Sequence, residues 1–276
     1  MNLAETADRY EWPARAVFGS LFAASAIGAA VVGGYVFAAF VALVTGMAAR
    51  EWHRMFGGER YAVPIAASAV SIVLALAGAI ALPGTLWPVL VLAIGAMVAV
   101  FSAYAVGSPA FWNGFGPFYL GLPSLALIWL RGSTAHGLMA VLVLFVAIWA
   151  GDTGALLGGR LLRGPKLIPS LSPNKTWAGF LVGCLAAGVC VAVYIAIIGG
   201  RPAEGALLGV VLAMTGHGGD LFESWLKRRV GRKNSGGLIP GHGGVLDRID
   251  SILFAAPLAA FGVLVLGFDP LCGGHP

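Results

Sequence analysis

Residues 61–130 read YAVPIAASAVSIVLALAGAIALPGTLWPVLVLAIGAMVAVFSAYAVGSPAFWNGFGPFYLGLPSLALIWL, 70 consecutive positions without an Asp, Glu, Lys or Arg. A helix needs about 20 apolar residues to cross a bilayer, so this stretch alone has length for three spans. The rest of the chain agrees with it. Of 276 residues, 59% are hydrophobic and 11% charged, against about 25% charged in an ordinary soluble domain. Mean hydropathy is +0.88. The expected fold is an all-α polytopic integral membrane protein.

Working outward, the uncharged run Ala16–Ala49 is too long for one helix, and Gly33-Gly34 divides it into spans at 16–32 and 35–49. Arg50, Glu51, His53, Arg54, Glu59 and Arg60 then read as a polar loop. Further spans are expected at 62–82, 86–106, 117–130, 135–151, 177–199, 203–219 and 251–268, with turn formers in the linker 107–116. The N-terminus carries charges of both signs without a convincing cleavage site, so the first apolar run is expected to be a retained span. With the N-terminus cytoplasmic, nine spans place 1–15, 50–61, 107–116, 152–176 and 220–250 in the cytoplasm. These segments hold 15 of the 17 basic residues, leaving out Arg131 and Arg201. Such sorting is what the positive-inside rule requires. Residues 1–134 form an N-terminal transmembrane region, and 135–276 a C-terminal region with cytoplasmic loops 152–176 and 220–250.

The net charge of +5 does not indicate nucleic acid, because it lies in short loops between apolar runs. Cys184, Cys190 and Cys272 form neither a disulfide framework nor a metal spacing.

Chemistry on a charged substrate concentrates in Gly216–Ser251, GHGGDLFESWLKRRVGRKNSGGLIPGHGGVLDRIDS, which has 10 of the 29 charged side chains in 36 residues. As a helix, 220–229 puts Asp220, Glu223, Ser224 and Lys227 on one face. Taken alone, that is also the pattern of a solvated amphipathic helix. The position of Asp220 at the end of a span argues for more, since a carboxylate there is costly unless paired or cation-bound. Glycines at 236, 237, 241, 243 and 244 allow the backbone to approach phosphate oxygens. Asp220 and Asp247 flank the basic Lys227, Arg228 and Lys233, a composition that suits a divalent cation bridging nucleotide phosphates. His242 reads either as a general base or phosphate ligand or as a structural hydrogen-bonding residue. His217 reads as structural, and His53 and His136 have no constellation. Asp152 is a second carboxylate at a span end. Arg160, Arg163, Lys166 and Lys175, with Ser172, Asn174 and Thr176, suit a turn feeding a helix N-terminus where anions bind. The loop is not a P-loop.

These residues resemble bacterial phosphatidate cytidylyltransferases, also called CDP-diacylglycerol synthases. The family signature is Ser-x-apolar-Lys-Arg, four residues, Lys-Asp, then Pro-x-His-Gly-Gly-apolar-x-Asp-Arg-apolar-Asp. Here Ser224, Lys227, Arg228, Lys233, Pro240, His242, Gly243, Gly244, Asp247, Arg248 and Asp250 stand at that spacing. The runs Gly219–Ser224, Lys166–Thr176 and Asp152–Ala155 also match, and resemblance in the N-terminal half is confined to hydropathy. One departure is Asn234, where the signature has aspartate.

The resemblance implies that CTP and phosphatidate give CDP-diacylglycerol and pyrophosphate at the cytoplasmic face of a bacterial inner membrane. It implies Mg²⁺, and leaves room for a second, monovalent cation. Asp220 and Asp247 would hold the metal, with Asp250 and Glu223 as further ligands. Asp220, Lys227, Asp247 and Arg248 form the catalytic set. Lys166, Ser172, Lys175, Ser224, Arg228, Lys233, His242, Gly243 and Gly244 would contact substrates. Competing readings are a CTP-dependent lipid kinase, a transporter and a homologue disabled at Asn234. Abundant small residues also make a homodimer an expectation.

Overall fold

The computed structural model describes residues 3–56, 61–133, 136–237 and 243–266. Among these residues the chain forms nine α-helices and one β-hairpin. In order they are α1 (Leu3–Val32), α2 (Gly34–Phe56), α3 (Ala62–Ala81), α4 (Trp87–Ala105), α5 (Ala110–Ser133), α6 (Gly137–Leu161), β1 (Lys166–Ile168), β2 (Ser172–Thr176), α7 (Trp177–Ile197), α8 (Pro202–Arg229) and α9 (Leu246–Leu266). Helices α2, α3, α4, α6, α7 and α8 are long and apolar enough to cross a membrane, and the Val17–Val32 part of α1 is a shorter apolar segment. Their outward faces are apolar too. On α7, Leu181, Leu185, Val189 and Val193 point out at four-residue spacing, while Gly183, Ala187, Val191 and Ile195 face inward. Water does not tolerate such a surface, and lipid does.

The break between α1 and α2 falls at Gly33 (φ +72°) and Gly34 (φ +51°), a backbone that residues with a Cβ rarely adopt. Arg131 closes the end of α1, its Nε donating to the Ala30 carbonyl at 2.6 Å. That carbonyl is one of those a helix C-terminus leaves without an intrahelical partner.

Several boundaries differ from the sequence expectation. Helix α2 runs on through the expected polar loop to Phe56, and Glu51, Trp52 and His53 are buried. His53, expected to have no constellation, joins three helices through Asn113 Oδ1 and Ser68 Oγ, each at 2.7 Å. Helix α5 starts at Ala110 and contains Pro117 and Pro123, where a linker to residue 116 and a later start were expected. Membrane helices tolerate such prolines. Asn113 Nδ2 donates to Pro109 O at 2.9 Å and Ser124 Oγ to Leu120 O at 2.8 Å, each four residues back along the chain. Helix α6 continues ten residues into the expected loop 152–176, to Leu161, and the rest of that loop holds the hairpin. Helix α8 passes without interruption through Gly218-Gly219 to Arg229, and α9 begins at Leu246, five residues earlier than expected. The 220–250 loop is therefore helical at both ends.

The apolar core runs through both halves of the chain, with α9 packed against α5 as well as α8. Around the site, close approach depends on small residues. A Cβ at Gly209 of α8 would lie 2.6 Å from Ala187 O of α7, and one at Gly154 of α6 would lie 2.6 Å from Ala186 Cβ. Gly209→Ala is therefore expected to destabilise the α7–α8 contact by about 1–3 kcal/mol through overpacking. Gly218→Ala, where a Cβ meets nothing within 4 Å, is expected to be neutral or slightly stabilising. Thermal unfolding of both variants in one detergent gives the ranking.

Candidate active site

The ends of α6 and α8, the start of α9, the hairpin and α7 enclose a cavity of about 720 Å³. Asp152, Asp220, Asp247 and Asp250 line it, together with Arg160, Lys175, Lys227 and Arg248. Four acids and four bases from segments up to about a hundred residues apart thus share one space at one end of the bundle.

The local sequence explains how each arrives. At β2, Thr176 ends the strand and caps α7, its Oγ1 accepting from Gly179 N at 3.1 Å. The neighbouring Lys175 is thereby aimed at α8, where Nζ meets Asp220 Oδ2 at 2.5 Å. Arg228 holds the hairpin from the other side, Nε donating to Leu171 O at 3.4 Å. The shared face expected for 220–229 is present. Ser224 Oγ lies 3.5 Å from Asp220 Oδ1, and Lys227 Nζ lies 3.2 Å from Glu223 Oε1, a carboxylate with no exposed surface.

Asp247, in the first turn of α9, is the most heavily bonded acid of the group. Its Oδ1 accepts from Lys227 Nζ at 2.5 Å. Its Oδ2 accepts from Ser235 N at 3.1 Å, Ser235 Oγ at 2.9 Å and Gly244 N at 2.8 Å. Burial opposes ionisation of this carboxyl. The Lys227 ammonium and the Gly244 N–H outweigh it and hold Asp247 below the usual aspartate range. Asp250 is buried, with Oδ1 accepting from Ser251 N at 2.7 Å.

The expected site residues divide into groups. Asp220, Lys227, Asp247, Arg248, Asp250 and Lys175 line the cavity. Glu223 lies behind Lys227, and Ser224 beside Asp220. Lys166 sits exposed on β1 opposite Thr176, Ser172 pairs with Ile168, and Arg228 and Lys233 are exposed, all four outside the cavity lining. Gly243 has φ +80°. Gly244 is buried, its N–H is given to Asp247, and a Cβ there would overlap Ser235 Oγ and Glu51. His242 lies outside the described residues.

The profile of the Cytidylyltransferase family matches residues 13–266. The chain belongs to that family. Among similar proteins is the phosphatidate cytidylyltransferase of Brucella suis biovar 1 (strain 1330), 45% identical over 150 residues, covering 53% of this chain and 55% of the relative. The protein of the same name from Brucella abortus biovar 1 (strain 9-941) is 44% identical over 164 residues, covering 58% and 60%. That of Rickettsia typhi (strain ATCC VR-144 / Wilmington) is 38% identical over 151 residues, covering 51% and 65%. The chain spans a little over half the length of the relatives it matches.

For a cytidylyltransferase-family site, the acids here are a hard, all-oxygen donor set of the kind Mg²⁺ takes. Among the described residues, no three His, Cys, Asp or Glu side chains lie close enough to hold one ion. Asp220 and Asp247 each have a lysine across from them, so a cation and an ammonium are alternatives at those oxygens.

Sequence reasoning assigned no role to Glu51 or Ser235, and it read His217 as structural. His217 also lines the cavity, with Nδ1 4.0 Å from Asp152 Oδ1. Its position in Gly-His-Gly-Gly-Asp, one helical turn before Asp220, was the available signal.

Proposed function

We propose that this chain is a phosphatidate cytidylyltransferase, converting CTP and phosphatidate to CDP-diacylglycerol and pyrophosphate. The observation that carries this reading is the mixed cavity of four carboxylates and four cations at the end of an apolar helix bundle, in a member of the cytidylyltransferase family. A phosphate oxygen of the lipid attacks the α-phosphorus of CTP, the bond from that phosphorus to the β-phosphate oxygen breaks, and pyrophosphate leaves. A phosphate monoester is already anionic near neutral pH, so positioning and a positive field supply most of the rate.

Lys227 and Arg248 face the phosphates in this scheme, and Lys175 turns from Asp220 to the incoming nucleotide. Asp220 and Asp247 would hold Mg²⁺, backed by Asp250 and Glu223. Bound there, the metal would neutralise charge on the leaving pyrophosphate. Lys166, Ser172, Ser224, Arg228, Lys233, His242, Gly243 and Gly244 would contact CTP or the lipid headgroup.

The same proposal includes nine spans, a cytoplasmic N-terminus and a cytoplasmic-face site in the bacterial inner membrane. The sorting of 15 of 17 basic residues supports that orientation. A homodimer is proposed with it through the outward-facing small residues Ala24 and Gly28 of α1. The mass of the particle in detergent checks that element.

CTP labelled separately at its α- and γ-phosphates tests the reaction. The α-label is expected in the lipid and the γ-label in pyrophosphate. A γ-label in the lipid, with CDP released, would instead make the protein a CTP-dependent lipid kinase. Asn234 is exposed beside Gly243, where an added charge is screened and exposed pairs contribute only about 0–1 kcal/mol. Asn234→Asp is therefore expected to change kcat by less than about fivefold. Activity appearing only in that variant would mean that asparagine disables the site.

A further inference from the structure

Glu51 belongs to α2, far in sequence from the signature residues 152–251, yet its carboxylate ends among the residues that hold Asp247. It is 1% exposed. Oε2 accepts from Leu246 N at 2.9 Å and stands 3.3 Å from Ser235 Oγ, partners 195 and 184 residues further along the chain. Leu246 N is one of the amides that the start of α9 leaves without an intrahelical acceptor. Glu51 therefore acts as an N-terminal cap for α9 delivered from another helix, and the positive end of the α9 dipole favours its carboxylate. The Ser235 hydroxyl lies between Glu51 Oε2 and Asp247 Oδ2, with a single proton to give. Backbone closes on the carboxylate from both sides, since a Cβ at Gly236 or Gly244 would overlap it. Its Oε1 is buried with no hydrogen-bond partner. Burying such a group is costly unless it is hydrogen-bonded, so the bonds to Oε2 are what hold it.

We propose that Glu51 is a positioning residue for the reaction. By holding Leu246 N–H and Ser235, it fixes the start of α9 and Ser235 relative to α2, so that Asp247 faces Lys227 and the cavity. The proposal rests on the reading of that cavity as the cytidylyl-transfer centre.

The test compares Glu51→Gln, which keeps an acceptor oxygen of the same reach, with Glu51→Leu, which keeps bulk and loses the acceptor. The leucine variant is expected to lose on the order of 10- to 100-fold in kcat, with KM for CTP within about threefold, and the glutamine variant to stay within about fivefold of wild type. Amide exchange at Ser235, Gly244 and Leu246 is expected to accelerate in the leucine variant alone. Wild-type kcat in Glu51→Leu, or equal losses in both variants, overturns the proposal. If wild type releases no pyrophosphate, the reading of the site fails. Exchange still decides the tie, and unchanged exchange in Glu51→Leu overturns it. Should Glu51→Leu not fold, Ser235→Ala probes the tie from its other end. Its loss in kcat combined with that of Glu51→Asp, whose shorter side chain gives up the reach to Leu246 N, is expected to fall short of their product, and a full product overturns the tie.

Discussion

Asp247→Asn is expected to lower pyrophosphate release by roughly a hundred- to a thousandfold, the scale on which a single electrostatic contact at a reacting centre acts. The substitution keeps size and shape, so the loss follows from the pattern of bonds. Both carboxylate oxygens of Asp247 are acceptors, one facing the Lys227 ammonium and the other facing Ser235 N, Ser235 Oγ and Gly244 N. An amide has one oxygen and one donating nitrogen. Whichever way it turns, Asn places an NH₂ against a donor, either Lys227 or the backbone N–H groups. About 1–3 kcal/mol of stability should go with it, the usual penalty for an unsatisfied buried group. The pH dependence has a definite sign. The Asp247 carboxyl is held below its ordinary range, so its stabilising effect is in force above the ordinary aspartate pKa and fades as pH falls through the lower, folded value. The stability gap between variant and wild type should therefore narrow in acid. Unfolding midpoints across an acid pH series give that trend, and a gap that widens would contradict the assignment of Lys227 as the group that holds Asp247 ionised.

Lys227→Met is expected to abolish measurable activity and to destabilise the protein by about 3–5 kcal/mol, the range for removing one partner of a buried ion pair. Lys227 bridges Glu223 and Asp247, and the Glu223 carboxylate has no exposed surface. Without the ammonium, two acids face each other in a poorly solvated space. Adding Glu223→Gln to Lys227→Met removes one of those acids. Much of the stability should return in the double variant, because Asp247 keeps its three donors from Ser235 and Gly244. Activity should not return, because the cation facing the phosphates is still missing. Recovery of both together would mean that Lys227 only neutralises Glu223 and has no part in the reaction.

The sequence located the apolar runs and the Gly33-Gly34 break because those follow from hydropathy and from a backbone that glycine alone tolerates easily. It also brought Asp220, Glu223, Ser224 and Lys227 to one face, since helical spacing is local. It failed at 110–116, where turn formers suggested a linker and the chain is already helical from Ala110 on through Pro117 and Pro123, because a membrane helix tolerates residues that end helices in water. Glu51 was missed for a different reason. Beside Arg50, His53 and Arg54 it has the composition of a solvated loop, and its partners lie more than 180 residues away. The hairpin placed Lys175 in the cavity and left Lys166 and Ser172 outside it. That distinction depends on strand register, and composition carries no trace of it.

The most direct test uses the detergent-purified protein with phosphatidate, CTP labelled at the α-phosphate and Mg²⁺, and follows lipid-soluble label and pyrophosphate in the same reaction. The account predicts equal amounts of the two, rising together and only when phosphatidate is present. Folded protein that transfers no label to lipid, or that releases labelled CDP in place of pyrophosphate, would contradict it.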